Sequence, residues 1–279
     1  MGGFYYSSVK MDIAKSSGRS GLHLEFEGER KERLERYPVW TTIFHLDYHN
    51  ILEEAIDPGN YRSGELAVGY AELELHNRPN PFLNYYFRSA LKTGLLNSQF
   101  LRFNLQTNIY YKFTKKIRTK LRIWAGGFLD ADNLPPQYRT YLSGNIDPDF
   151  RNNFIFNRTP DVNDASIGTR QYDIGGPSLH GLVLDENGKM LGVNDWVISA
   201  NFEMNIPKVS GKPFIDLAII PGKETYFDFG LKKSFGPLSI ILPLYQSWDE
   251  NQFVTDTDWA LDRLRFSLTL SGFTIRDLF

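Results

Sequence analysis

The chain has 279 residues, a formal charge of −2 and no cysteine. That length fits one large domain or two ordinary ones, and the near-neutral charge gives no reason to expect a nucleic-acid partner. The missing cysteines exclude disulfide frameworks, thiolate zinc sites and cysteine nucleophiles, and no run of about 18 apolar residues is present to form a transmembrane helix.

Aromatic residues make up 15% of the chain, mainly Tyr and Phe, yet the mean hydropathy is −0.35. The pairing fits strands that are apolar on one face and polar on the other. The opening residues, Met1-Gly-Gly-Phe-Tyr-Tyr-Ser-Ser8, lack the basic and apolar regions of a signal peptide and run almost directly into a strand pattern. If the protein is exported, the chain reads as a piece of something longer.

In chain order, Val9, Met11 and Ile13 alternate with Ser8, Lys10 and Asp12; Leu22, Leu24 and Phe26 alternate with His23, Glu25 and Glu27. Phe44, Leu46 and Tyr48 interleave with His45, Asp47 and His49, and Ala71, Leu73 and Leu75 with Glu72, Glu74 and His76. After a turn at Asn77–Pro81 come Tyr85, Phe87 and Leu91. The cleanest alternation follows: Leu101, Phe103, Leu105, Thr107, Ile109, Tyr111 and Phe113 face one way, and Arg102, Asn104, Gln106, Asn108, Tyr110 and Lys112 the other. Across a short turn at Thr114–Lys116, Ile117, Leu121, Ile123 and Ala125 alternate with Arg118, Lys120 and Arg122. Side chains alternate faces along a strand, so each segment has one apolar and one wet face.

One loop, residues 130–195, is far longer than the rest, and loops of such length are functional or plugging. About seven strand candidates precede it and five follow, an even total that suits a bacterial barrel. The strands are long, and very short turns alternate with longer ones, as in outer-membrane barrels. The expected fold is all-β: a single domain over residues 1–279, an antiparallel transmembrane outer-membrane β-barrel of about twelve strands or the C-terminal part of a sixteen-strand one. Its long loop would fold into the lumen. The rival is a soluble two-sheet sandwich, in which the apolar faces would form a core.

Beyond the loop, Trp196, Ile198, Ala200, Phe202, Met204 and Ile206 alternate with Ser199, Asn201, Glu203 and Asn205. Then come Pro213-Phe-Ile-Asp216-Leu-Ala218, Phe229-Gly230-Leu, Ser234-Phe-Gly236-Pro237-Leu238 with Leu242-Pro243-Leu244, and Arg265-Phe266-Ser-Leu268. In order and spacing these pieces resemble the C-terminal half of the bacterial surface antigen superfamily, the BamA/TamA-type barrels of outer-membrane protein assembly and two-partner secretion. A fainter likeness, at Leu134–Gly144, is to barrels attached behind zinc aminopeptidase-like domains.

The resemblance implies a loop tip that folds back into the lumen, here Leu179-His180-Gly181-Leu182, with His where the family has Arg and Leu where it has an aromatic. It implies Glu203 and Asp216 as the acidic lumen partners of that tip, and a closing-strand assembly signal in Arg265, Phe266, Leu268 and Leu270. It implies work in assembling, inserting or translocating proteins, with outer-membrane lipid and a client or secreted polypeptide as partners and upstream periplasmic domains expected in the full-length protein. The alternatives are a passive membrane anchor for an upstream enzyme domain and a diffusion pore plugged by the loop.

No catalytic motif competes with this reading, and no cofactor is expected. His45-Leu-Asp47-Tyr-His49 is the one metal-like set, and a polar lumen wall explains it better. Glu72 with Glu74, and Asp147 with Asp149, read as solvated pairs. Asp185-Glu-Asn-Gly-Lys189 reads as a hairpin turn rather than a calcium loop. Trp40, Trp124, Trp248 and Trp259 are candidates for interfacial aromatic belts.

Overall fold

The computed structural model of the chain describes residues 3–16, 19–32, 40–51, 62–76, 82–143, 172, 175–186, 188, 190–236, 238–249, 253 and 257–268. Seven strands precede the long loop: β1 (Gly3–Ser16), β2 (Arg19–Glu32), β3 (Trp40–Ile51), β4 (Gly64–His76), β5 (Leu83–Leu96), β6 (Gln99–Lys112) and β7 (Arg118–Asn133). Two short strands lie within it, β8 (Thr140–Tyr141) and β9 (Gly192–Val193). Five strands follow: β10 (Val197–Asn205), β11 (Lys212–Ile219), β12 (Thr225–Phe235), β13 (Leu238–Gln246) and β14 (Arg265–Leu268), with a short helix α1 (Thr257–Arg263) before the last.

The seven and the five form one twelve-stranded antiparallel sheet in which each strand pairs with its neighbour in sequence, except that β7 pairs with β10 across the loop. Strands β1–β7 run for 12 to 16 residues and β10–β13 for 8 to 11. The period-two pattern of the sequence is sufficient reason for their length, since a one-residue slip would turn every side chain to the wrong face. At the β6–β7 turn, Thr114 Oγ1 accepts the amides of Lys116 and Ile117 at 3.2 and 3.0 Å, closing the hairpin. Among the described residues β1 and β14 are the sheet's two edges and do not pair with each other.

Burial runs opposite to that of a water-soluble sheet. On β10, Val197, Ser199 and Asn201 are buried while Ile198 is 47% exposed. On β11, Phe214, Asp216 and Ala218 are buried while Ile215 and Ile219 are exposed. Phe44, Leu46, Leu91 and Ile123 on earlier strands are likewise exposed. Among the described residues, the long loop packs on the polar face from β4 onward, and apolar-face side chains such as Ile123, Ile198 and Ile215 are exposed.

Two apolar clusters seat the loop. Leu134 and Tyr138, at a 3-10 turn over Pro136–Tyr138, pack with Leu66, Val68, Phe100 and Phe128. Leu142, Leu179 and Val183 pack with Trp124, Val197, Ala218, Ile220 and Tyr226. Strands β8 and β9 pair, and the Leu184↔Met190 bridge with the Gly188 amide on Asp185 O (3.0 Å) makes the expected hairpin. Trp124 and Trp248 depart from the belt reading: both pack into this loop cluster, because the apolar underside of the loop gives their rings a drier partner. Helix α1 also departs from the period-two reading. The side chains of Trp259, Asp47, His49 and Leu268, together with Asp147, Asp149 and Leu270, lie outside what the structure describes.

Candidate functional site

The loop tip begins with a tight turn. Gly176 (φ +54°) and Ser178 (φ +53°) both take the left-handed conformation. Ser178 Oγ donates to Gly175 O and accepts the Gly175 amide, each at 2.7 Å, which offsets the cost of placing a Cβ there. The turn aims 177–182 along the polar face of β10–β13.

Sheet, loop and α1-side residues then meet the tip's main chain group by group. Arg122 on β7 donates to Gly176 O (2.6 Å) and to Pro177 O (3.4 Å), where Ser199 Oγ also donates (3.0 Å). Asn201 Nδ2 and the Tyr172 hydroxyl donate to Ser178 O at 3.0 and 3.2 Å. Arg265 Nη1 lies 3.3, 2.9 and 3.2 Å from the carbonyl oxygens of Leu179, His180 and Gly181. Trp248 Nε1 donates to Leu182 O at 3.0 Å. Every carbonyl from Gly176 to Leu182 thus lies within reach of a donor, with the two hydrogens of Arg265 Nη1 shared among three of them.

The amides are met by carboxylates. Asp216 on β11 and Asp228 on β12 are register partners, both fully buried. The His180 amide donates to Asp216 Oδ2 at 2.7 Å, and the Gly181 amide to Asp228 Oδ2 at 2.6 Å. Consecutive amides thus read two facing carboxyl groups, one from each strand. Asn201 Nδ2 holds the other oxygen of Asp216 at 3.1 Å.

His180 itself is 1% exposed. Its Nδ1 is 2.7 Å from Asp216 Oδ2, and a carboxylate partner places the ring proton on Nδ1. Nε2 lies 3.4 Å from Glu203 Oε1, close enough for an ion pair but not aligned as a hydrogen bond. Glu203 is held instead by Lys232 Nζ at 2.9 Å. The imidazole is stacked between Tyr172 (centroids 4.6 Å, 14°) and Phe214 (4.2 Å, 27°). Burial, and then the charge of Asp216, pushes the Tyr172 hydroxyl above the usual phenol range, so it stays a donor. At Gly181 a Cβ would fall 2.3 Å from Gln246 Nε2, 2.7 Å from Trp248 and 2.9 Å from Asp228 Oδ2, so the tip fits only with glycine here.

The sequence-predicted residues Leu179, His180, Gly181, Glu203 and Asp216 therefore meet in one place, with Glu203 the more distant partner. Leu182 contributes its carbonyl. Arg265, expected only in a closing-strand signal, is a loop ligand; Phe266 follows it in β14. Asp228, Asn201, Arg122, Tyr172 and Trp248 went unrecognised. The signal for Asp228 was present: in Tyr226-Phe-Asp228-Phe-Gly230 it shares the parity of Asp216 on the neighbouring strand.

The side chains around the tip are spent on its main chain, Asp216 and Asp228 on amides and Arg122, Asn201, Arg265 and Trp248 on carbonyls. Away from it, Glu72 and Glu74 are not the solvated pair expected. Glu72 is buried against Arg88 and the Tyr70 hydroxyl, and Glu74 accepts from the Tyr86 hydroxyl at 2.5 Å. Among the described residues no His/Asp/Glu group could hold a metal. No family model and no curated protein matches this chain.

Proposed function

We propose that the chain is an outer-membrane β-barrel of the surface antigen type, its sheet closed on itself around the long loop, that takes part in assembling, inserting or translocating proteins at the outer membrane. The observation that carries this reading is the inverted burial. Asp216, Asp228, His180 and Arg265 are buried on the loop face, while Phe44, Ile198 and Ile215 are bare on the other. In water an apolar face of that extent costs roughly 25 cal/mol per Å², and against lipid tails the cost vanishes. Inside a bilayer two raw sheet edges are strongly disfavoured, so β1 and β14 are expected to close the sheet. Strands β1–β7, β10, β12 and β13, of 9 to 16 residues, reach the roughly 9–11 residues a tilted strand needs, and β11 has 8.

The seat of the tip supports the assembly branch. The folded-back loop, the buried Asp216 and Asp228 and the glycine at the tip support the part of this reading that comes from the sequence resemblance. If the sheet closes, the seam would lie between β1 and β14, where an unpaired edge would offer backbone hydrogen bonds to an incoming strand. The buried loop cluster also favours a second reading, a plugged pore.

Reconstitution into liposomes with an unfolded outer-membrane barrel as client tests the choice. The proposal predicts faster client folding, read as the heat-sensitive shift in gel mobility. No acceleration, with conductance that rises on deleting residues 134–193, would instead establish the pore.

A further inference from the structure

The strand registers set the polar-face residues of β6–β12 in transverse rows. The row that seats the tip holds Arg122, Asn201, Asp216 and Asp228, each the register partner of the next. Two residues nearer the turns at 113–117 and 206–211, on the same face, stand Lys120, Glu203, Phe214 and Gly230. Two residues further out, Lys112 pairs with Arg118, Arg118 with Asn205, and Lys212 with Lys232. Asn205 and Lys212 each lie two residues beyond the Glu203↔Phe214 pair, so they continue one row.

That outermost row carries four cations, one amide and no carboxyl group across five adjacent strands. At about 4.8 Å per strand it spans roughly 19 Å. Lys112 faces Arg118 and Lys212 faces Lys232, and like charges directly opposite on a ladder are destabilising. Lys232 is drawn inward, to Glu203 at 2.9 Å and over the Tyr172 ring at 5.5 Å. Among the described residues, the side chains of Lys112, Arg118 and Lys212 make no hydrogen bond or ion pair. Arg118, Asn205 and Lys212 are exposed. Behind the row, Lys120, Arg122, Tyr172, His180, Asn201 and Glu203 line a cavity, so it opens onto space. The carboxyl groups of the tip row, Asp216 and Asp228, are engaged by the tip amides. The outer row has no counter-charge of its own.

We propose that this row binds a soluble polyanion bearing phosphate groups, which enters from the end of the sheet opposite the long loop. A phosphate group packs close to two charges and three acceptor oxygens into a small volume, so one group can bridge a facing pair of cations. An extended acidic peptide presents single charges about 6.6 Å apart on one face, which leaves one cation of each facing pair unbalanced. Arg118 supplies the planar fork that phosphate oxygens match, and the lysines supply point charges. The row lies on the polar face, away from lipid, so a water-borne ligand reaches it and a lipid headgroup does not. That choice of source rests on the membrane-barrel reading above; the site rests on the register alone.

Titration calorimetry of the full chain in a neutral detergent, with tripolyphosphate as the probe, tests it. Binding is expected at low salt and is expected to weaken as salt rises. Arg118→Gln and Lys212→Gln are each expected to weaken it about tenfold. The two serve different facing pairs, so the double variant is expected to lose about a hundredfold. Arg118→Lys keeps the charge without the fork and is expected to fall between the parent and Arg118→Gln. Lys115→Gln with Lys116→Gln removes two exposed charges from the adjoining turn and is expected to leave the affinity unchanged. Heat-sensitive gel mobility, the sign of a folded chain, is expected in every variant because the substituted side chains are exposed. No binding at low salt overturns the proposal, as does an equal loss from the turn variant. Tighter binding of a glutamate peptide of equal charge would make the row a peptide site and overturns it too. Failure to fold a client would leave these titrations untouched, so the two readings fail separately.

Discussion

The carbonyls of Gly176 through Leu182 each meet a donor, and the amides of His180 and Gly181 each meet a carboxylate. A tip read through its main chain tolerates a change of side chain, and His180, at the position where the sequence resemblance implies an arginine, makes its amide bond all the same. The guanidinium is supplied from β14 instead, by Arg265. The main chain cannot tolerate bulk at Gly181, and Gly181→Val is expected to destabilise the fold by roughly 1–3 kcal/mol in denaturant titration. Asp228→Leu leaves the Gly181 amide buried without an acceptor and is expected to cost about 1–3 kcal/mol, whereas Asp228→Asn keeps an acceptor and is expected to cost less. Equal losses for both substitutions would mean that charge rather than the hydrogen bond is what Asp228 supplies. Leu179, His180, Gly181 and Asp216 were legible because the sequence resemblance implies a loop tip and an acidic partner at those positions. Arg265 and Tyr172 were not, since their partners are main-chain oxygens and rings that only the folded loop brings near.

At the scale of elements, the strands were legible throughout, because a polar face and an apolar face force period two on the sequence. What escaped were the features that break it. The β12–β13 ladder slips at Phe229/Gly230, and a Cβ on Gly230 would meet Leu242 O at 2.2 Å and Pro243 Cα at 2.8 Å. Those are main-chain atoms that cannot step aside, so Gly230→Ala is expected to destabilise by about 1–3 kcal/mol and to loosen β13 before β6 or β7 in hydrogen exchange. The slip re-aims Gln246 onto the face of Asp228, where it closes over Gly181. Trp124 and Val197 escaped in a different way. They are apolar residues on the polar face, and they point there because Leu142, Leu179 and Val183 of the loop cover them. No single strand carries that information.

For the whole molecule, the apolar face is the decisive feature. Ile198, Ala200 and Phe202 on β10 and Ile215 and Leu217 on β11 point away from the loop, and the account requires lipid against them. The chain has no cysteine, so a nitroxide can be attached at each of these positions in turn after substitution to cysteine. The most direct measurement is the collision rate of each label with oxygen and with a water-soluble nickel chelate, in lipid vesicles. The account predicts high oxygen and low nickel access at all five positions. Nickel access as high as at a surface turn such as Lys115 would put this face in water, and labels shielded from both reagents would put it against protein; either result contradicts a membrane barrel.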